Sequence, residues 1–490
     1  MGAGADAVVF DRGQFSGGTC QLRLTGLRYR LGRRLRTDCH SDRESRRAAR
    51  TNTIQGGGRL MHITFVDSNP VGLKALAAAR AAGHRITFVA SRQFAGLLDP
   101  DSMARCRELA DRIVEIDTSR NDAELHDALV AIHRDQPLDA VVTALEYCAA
   151  SVARCARRLG LAGTDPEAVA LAQDKAAARA RIEAAGMRPV RYRVADSFEQ
   201  ATVHARDLGY PMIAKPLSGG ASIRAERIDD AASLSRYFAS LDVMPDVPPG
   251  LADAISPQTL LEEYVEGPLF SVEVAAAGGE VLPLMISARK RCADEPSIEL
   301  GTTMPAPVRP QTARQLTDFA LQVARHLGLD FGIFHIELIL GPSGPVLVEA
   351  NPRIMGGNMP TVFALATGVD AYELLNEMYL TRRMPIRCRD VSAIRAATTR
   401  MIGAAEAATI EAEVDLAWQR PLARHVAAWR FDPAVGTHVR RMDSSYCPYH
   451  FQIVAESAEE SSLLAEWIIG RTAHAANLKL RSSSEDYLFL

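Results

Sequence analysis

At 490 residues, with 47% hydrophobic and 23% charged side chains and a formal net charge of -3, the chain has room for several domains and carries no bulk charge that would draw it to nucleic acid or membrane. Its eight cysteines show no CxxC spacing and no nearby pairing with histidine suited to zinc, which points to free thiols in a reducing cytoplasm. No run of about 18 apolar residues occurs, so no membrane span is expected.

Residues 1–60 hold twelve Arg and no Lys against five acids, a charge of +7 set against -10 for the remainder. They lack any helical or alternating apolar period and any apolar stretch of the kind a secretory signal needs. They read as a disordered leader. Met61 directly precedes a clean strand pattern and is the expected natural start, and a basic nucleic-acid arm is the competing reading.

From Met61 the segments HITFVDSNP, GLKALAAARAAGH and RITFVAS read as strand, helix, strand, and RIVEIDTS, AELHDALVAIHRD and LDAVVTA repeat the pattern. That alternation predicts a doubly wound parallel α/β domain over 61–163, closed by a helix at 149–159. Residues 164–255 read as a small lobe. It begins with a helix capped by Asp174 and continues with strands at 191–194, 212–215 and 223–227 and helices at 198–208 and 231–241. Four prolines in 244–257 mark a linker. Strands at 259–264, 271–276 and 281–286, a helix at 312–327, two further strands and a helix at 370–379 make a large lobe over 256–385. Residues 386–490, with a clear helix at 459–469, read as a small α+β tail domain.

Five lysines (74, 175, 215, 290, 479) stand among abundant arginines, so each retained lysine is worth a reason. A compact ammonium meets a phosphate at close range better than the wide guanidinium fork. The strongest local pattern is HIELILGPSGPVLVEANPR, two apolar-rich strands around Gly341-Pro342-Ser343-Gly344 that read as a hairpin. Glu337 and Glu349 are each six residues from Ser343, so a turn centred there places them opposite one another on one face. Their apolar neighbours keep that charge from dispersing into water, so something positive is expected between them. Mg2+ fits, with Asn351 adding a carbonyl oxygen and Mn2+ as a substitute. Arg353, two residues on, reaches where negative charge develops in a transfer reaction.

MIAKP (212–216) delivers Lys215 from a strand, and Gly219, Gly220 and Ser222 follow in a loop whose amides can close over phosphates. Neither GxxxxGK[ST] nor GxGxxG is present. The ordered set DK (174–175), AKP (214–216), glycine loop, EEYVEG (262–267), FSVE (270–273), HIE (335–337) and EANPR (349–353) resembles the ATP-grasp superfamily over about residues 62–385.

The resemblance implies that Lys175 and Lys215 bind nucleotide phosphates, that Glu262, Glu263 and Val265 lie at the adenine hinge, and that Glu337, Glu349 and Asn351 hold magnesium. It puts Arg353, Lys290 and Glu273 in catalytic roles, with Arg289 or Arg291 as alternatives to Lys290. Leu269 departs from the pattern, since many relatives carry an acid there. EANPRIMGGNMP and the tail look most similar to dipeptide-forming amino-acid ligases. That likeness places Glu146, Gly356 and Gly357 with Arg353 at the substrates. Glu146 also sits at the end of a parallel strand, where ligands gather in such sheets.

The implied chemistry is phosphorylation of a carboxylate by ATP and capture of the acyl phosphate by an amine, amino acids being the expected small-molecule partners and a homodimer the default assembly. The competing readings are an ATP-grasp carboxylase or purine-pathway ligase, and a nucleotide-binding protein without turnover.

Overall fold

The computed structural model describes residues 60–220, 222–243, 247–443 and 446–483. The leader expected over 1–60 therefore falls almost entirely outside the described residues. No helix among those residues is long and apolar enough to cross a membrane.

Strands β1 (His62–Val66), β2 (Arg85–Ser91), β3 (Arg112–Ile116) and β4 (Ala140–Val142) form a parallel sheet in the order β3-β2-β1-β4. β1 reads HITFV and is buried at all five positions, as a parallel strand covered by helices on both faces must be. Helix Asp122–Asp135 starts where the Asn121 side chain accepts from the amides of Ala123 and Glu124. Beyond the carboxyl end of β4 the chain turns through Glu146–Cys148 into helix Ala149–Arg158, which puts Glu146 at the sheet's ligand-facing end.

The small lobe pairs β5 (Tyr192–Ala195), β6 (Met212–Pro216), β7 (Glu226–Ile228) and β8 (Thr259–Glu263) antiparallel in the order β5-β8-β6-β7. Helices Phe198–Leu208 and Ala231–Ser240 bury Ala201, Leu208, Leu234 and Tyr237 against Met212 and Leu261. The strand expected from residue 223 begins three residues later, because Ser222 and Arg224 take positive φ (54° and 57°), which no extended run tolerates. The proline-rich linker contains a single helical turn, Pro249–Ala252.

The large lobe adds β9 (Leu269–Ala277), β10 (Glu280–Arg291), β11 (Glu299–Met304), β12 (Gly332–Gly341) and β13 (Gly344–Asn351). Helix Pro310–Leu327 lies across one face of this sheet. Its Leu316, Ala320 and Val323 bury against Val272, Val274, Phe334, Ile336 and Leu338. Side chains alternate along a strand, so the residues between them, Ser271, Glu273, His335 and Glu337, are presented on the opposite face. A buried polar row on one side of the sheet is thus the consequence of an apolar row on the other.

The three longer strands within residues 396–455 join the large-lobe sheet instead of forming one of their own. β14 (Ala396–Met401) pairs with β11 from Gly301↔Arg400 to Met304↔Ala397, and the order of the whole eight-stranded sheet is β13-β12-β9-β10-β11-β14-β18-β16. A two-stranded ribbon, β15 (Ala408–Thr409) with β17 (His438–Val439), stands beside β16 (Val426–Arg430) and β18 (His450–Ala455). The boundary expected at 385/386 is therefore crossed by a continuous hydrogen-bonded ladder. Several elements escaped the sequence reading, helices Pro100–Leu109 and Pro166–Gln173 together with two that border the site. ELGTTM has no apolar alternation, and MPTVFALAT, which forms helix Met359–Thr367, opens on a proline and carries β-branched residues.

Candidate active site

The hairpin does bring Glu337 opposite Glu349, by a route the sequence did not disclose. Its turn is Pro342-Ser343, with Gly341↔Gly344 and Leu338↔Leu347 in regular register. Regular pairing would oppose Glu337 to Val348 and send Glu349 to the helix-covered face. A β-bulge between Glu337 and Leu338 inserts Val348 as an extra residue and gives Glu337↔Glu349 and His335↔Asn351. Arg179 takes up the carbonyl that the bulge displaces, donating from Nη2 to Val348 O at 2.8 Å.

The positive charge expected between the two carboxylates comes in this structure from side chains on both flanks. Lys175 Nζ lies 2.9 Å from Glu349 Oε1 and donates to Gly219 O at 3.2 Å. His335 Nε2 lies 2.9 Å and Arg289 Nη1 3.4 Å from Glu337 Oε1. Burial works against ionising Glu337, but hydrogen bonding from His335 and the Arg289 charge win and hold its carboxyl well below the usual range. Burial likewise opposes charge on His335, yet the carboxylates of Glu273 and Glu337 raise it to about 9.

Glu262, expected at the adenine, lines the first cavity beside Lys215, whereas Glu273, expected in catalysis, is buried behind the residues that face the cavities. Glu262 ion-pairs with Lys215 Nζ at 2.7 Å and with Arg179 Nε. Two flanking cations hold Glu262 in its charged form against burial, whereas burial and the neighbouring cations pull Lys215 down despite Glu262. Glu273, 0% exposed, accepts from His335 Nδ1 at 2.7 Å and fixes that ring rather than touching a ligand. Glu273 is thus a positioning residue.

Lys290 is not at this site. Across the sheet, Arg289, Thr302 and Thr399 are register partners on the polar face, and Lys290, Gly301 and Arg400 form the next row, which faces the other way. There Lys290 Nζ lies 3.5 Å and Arg400 Nη2 2.6 Å from Glu466 Oε1 of helix Ala458–Ala476. Arg289 occupies the place expected of Lys290 and also pairs with Glu299. Residue type favoured lysine, and strand parity decided for arginine.

Two cavities meet at the paired glutamates. The first is lined by Lys175, Lys215, Gly219, Gly220, Ser222, Glu263 and Val265 from the small lobe and hinge, with Arg291 opposite. The second is lined by Asn69, Glu146, Arg289, Asn351, Arg353, Gly356, Gly357 and Asn358. Glu337 and Glu349 border both. Arg353 Nη2 donates to Glu146 Oε2 at 3.0 Å and to Asn351 Oδ1 at 3.4 Å. Burial raises Glu146 while Arg353 opposes the shift. His335, Arg179 and Asn358 were missed as functional residues, and Arg289 was foreseen only as an alternative to Lys290; for His335 the signal was present in its alternation with Glu337.

Among the described residues no three His, Cys, Asp or Glu side chains converge as a self-sufficient metal cage. The donor set is nonetheless all hard oxygen: two carboxylates and the Asn351 amide. That suits Mg2+, which takes one or two carboxylates and completes its shell with water and substrate phosphates.

Models for an ATP-grasp N-terminal domain and an ATP-grasp domain match residues 76–163 and 208–362. The chain is 29% identical over 260 residues to the uncharacterized protein y4rH of Sinorhizobium fredii, covering 52% of each. It is 30% identical over 294 residues to carnosine synthase 1 of Gallus gallus, covering 57% of this chain and 30% of that protein. Alanine–anticapsin ligase of Bacillus amyloliquefaciens matches at 25% over 279 residues, covering 53% and 57%. The match thus spans about half, or less, of these relatives. The fold superposes on the crystal structure of an L-amino acid ligase from Bacillus licheniformis with a TM-score of 0.68 at 18% identity, covering 87% of this chain and all of that one.

Proposed function

Because the chain belongs to the ATP-grasp superfamily, we propose that it is an ATP-dependent carboxylate–amine ligase acting on amino acids. The observation that carries this reading is the meeting of two cavities at Glu337 and Glu349, with lysines on one side and Glu146 and Arg353 on the other. A reaction that passes a phosphoryl group from a nucleotide to a second substrate needs two chambers joined at one anionic, metal-competent point.

In this reading Lys175 and Lys215 hold the ATP phosphates, and the backbone of the glycine loop closes over them. Glu337, Glu349 and Asn351 would hold Mg2+, which when bound offsets the charge of the phosphates. A substrate carboxylate oxygen attacks the γ-phosphorus, the bond to ADP breaks, and Arg353 stabilises charge on the transferring group. An amine nitrogen then attacks the acyl carbon, phosphate leaves, and the nitrogen gives up a proton as the amide forms. Glu146 orients the amine, and enclosure by the glycine loop protects the acyl phosphate from water. A cytoplasmic setting is in keeping with six free cysteines among the described residues, five of them buried.

The test is phosphate release from Mg-ATP across pairs of L-amino acids. We expect release that requires both members of a pair and that Glu349→Ala abolishes. Release driven by bicarbonate instead would favour a carboxylase, and no release with any pair would overturn the ligase reading.

A further inference from the structure

The neck between the two cavities is ringed by more than the paired glutamates. Gly220 and Ser222 of the glycine loop border both cavities, and so do Ser297 and Glu299. The glycine loop is therefore one lip of the neck, and the β10–β11 connection, residues 292–298, leads into the other. Glu299, at the start of β11, is held by Arg289. Ser297 lies in the connection itself, and its support comes from a distant part of the chain.

That support is Arg481. Residues 479–481 run antiparallel to 403–405: Lys479 O accepts from the Ala405 amide at 2.7 Å, and the Arg481 amide donates to Gly403 O at 2.8 Å. Ser482 O then accepts from the amide of Ala293, inside the connection, at 2.9 Å. The Arg481 side chain reaches under the same segment. Nη1 donates to Asp294 Oδ2 at 2.7 Å, Nη2 donates to Met442 O at 2.9 Å, and Nη2 also pairs with Glu295. The Arg481 side chain is 1% exposed while those of Asp294 and Glu295 are 65% and 37% exposed, so the two acids close over the guanidinium from the solvent side. A buried guanidinium is tolerated only where acceptors meet its donors, and two of these acceptors are consecutive residues of one short connection. The planar fork holds them in a fixed arrangement that the point charge of an ammonium does not reproduce. On the far side of Ser297, Ile298 is buried with Cys292, Leu300 and Met442. Pro296 and Ser297 are thus held between an ionic clamp and an apolar anchor.

We propose that Arg481 is a positioning residue for the reaction: by clamping Asp294 and Glu295 it holds Ser297 at the neck, and the lip so formed keeps water from the phosphoryl group passing between the cavities. The role rests on the ligase reading for the identity of the intermediate and on the clamp alone for its geometry. Water attacking the γ-phosphorus gives ADP, phosphate and a proton with no acceptor used. Water attacking the acyl carbon expels phosphate and restores the carboxylate, again with release of a proton. Either way ATP is consumed and no amide forms. Arg481, Asp294 and Glu295 border neither cavity, so their loss acts on this leak rather than on substrate contacts.

The test is a pair of measurements on the full-length enzyme: phosphate released from Mg-ATP alone, and phosphate released per amide formed with an amino-acid pair. Arg481→Met is expected to raise the first at least about threefold and to move the second from about one to at least about two. Asp294→Asn combined with Glu295→Gln opens the clamp from its solvent side and is expected to do the same, which keeps the test decisive where Arg481→Met folds poorly. Arg481→Lys, which keeps the buried charge without the fork, is expected to fall between wild type and Arg481→Met. Damage to the fold alone would lower phosphate and amide together and leave their ratio at about one. A rise in either quantity supports the clamp, and no rise in either, in Arg481→Met and in the double variant, overturns it. If no amino-acid pair drives release in the wild type while hydrolysis of Mg-ATP alone still rises in the variants, the ligase reading falls and the clamp stands.

Discussion

Arg179 sits 1% exposed inside the protein, where a guanidinium is tolerated only if acceptors surround it. It donates to Lys175 O at 2.9 Å and to Val348 O at 2.8 Å, and pairs with Glu262, so one side chain ties a phosphate-side helix, the bulge beside Glu349 and the partner of Lys215. Arg179→Met leaves Glu262 buried with one cation fewer and should cost about 3–5 kcal/mol, read as a shift in the urea midpoint. Nothing in RARIEAAG singled this arginine out, because arginine is the common cation of the chain. Lysine is rare, and its scarcity made Lys175 and Lys215 legible. The same reasoning failed at Lys290, whose fate turned on strand parity across three paired strands. Lys290→Ala is accordingly expected to leave turnover per folded enzyme within about twofold, while Arg289→Ala, which strips charge from the Glu337 side, lowers it about a hundredfold or more in the phosphate-release assay.

At the scale of elements, the pairing of Glu337 with Glu349 shows how a correct expectation can rest on an incomplete cause. The apolar runs and the Gly-Pro-Ser-Gly turn announced a hairpin, but the bulge that turns Glu349 to the site face leaves no local sequence mark. The parallel domain was readable because its strands are mostly apolar and alternate with helical segments of regular length. β11 was not, being ELGTTM, and yet it is the seam of the sheet. Gly301 has φ of 151°, and a Cβ there would stand 2.2 Å from Thr399 O. Gly301→Ala must push β14 away from β11, and a loss of about 1–3 kcal/mol is expected in thermal or urea unfolding.

At the scale of the molecule, β14, β18 and β16 extend the large-lobe sheet, so the tail is part of one cooperative structure. A chain ending at residue 385 would leave β11 as a bare edge beside a half-covered polar face. Such a truncation is expected to aggregate on gel filtration rather than yield a smaller active enzyme. The tail's contribution was illegible in sequence because its strands are short and its partners lie a hundred residues upstream. The shared border of the two cavities carries a different consequence. A single rigid compound that joins an adenosine group to an amino acid through a short anionic linker would thread the gap and be gripped from both sides. Its second contact would form at an effective concentration set by the linker, so it should outbind either half by about a hundredfold.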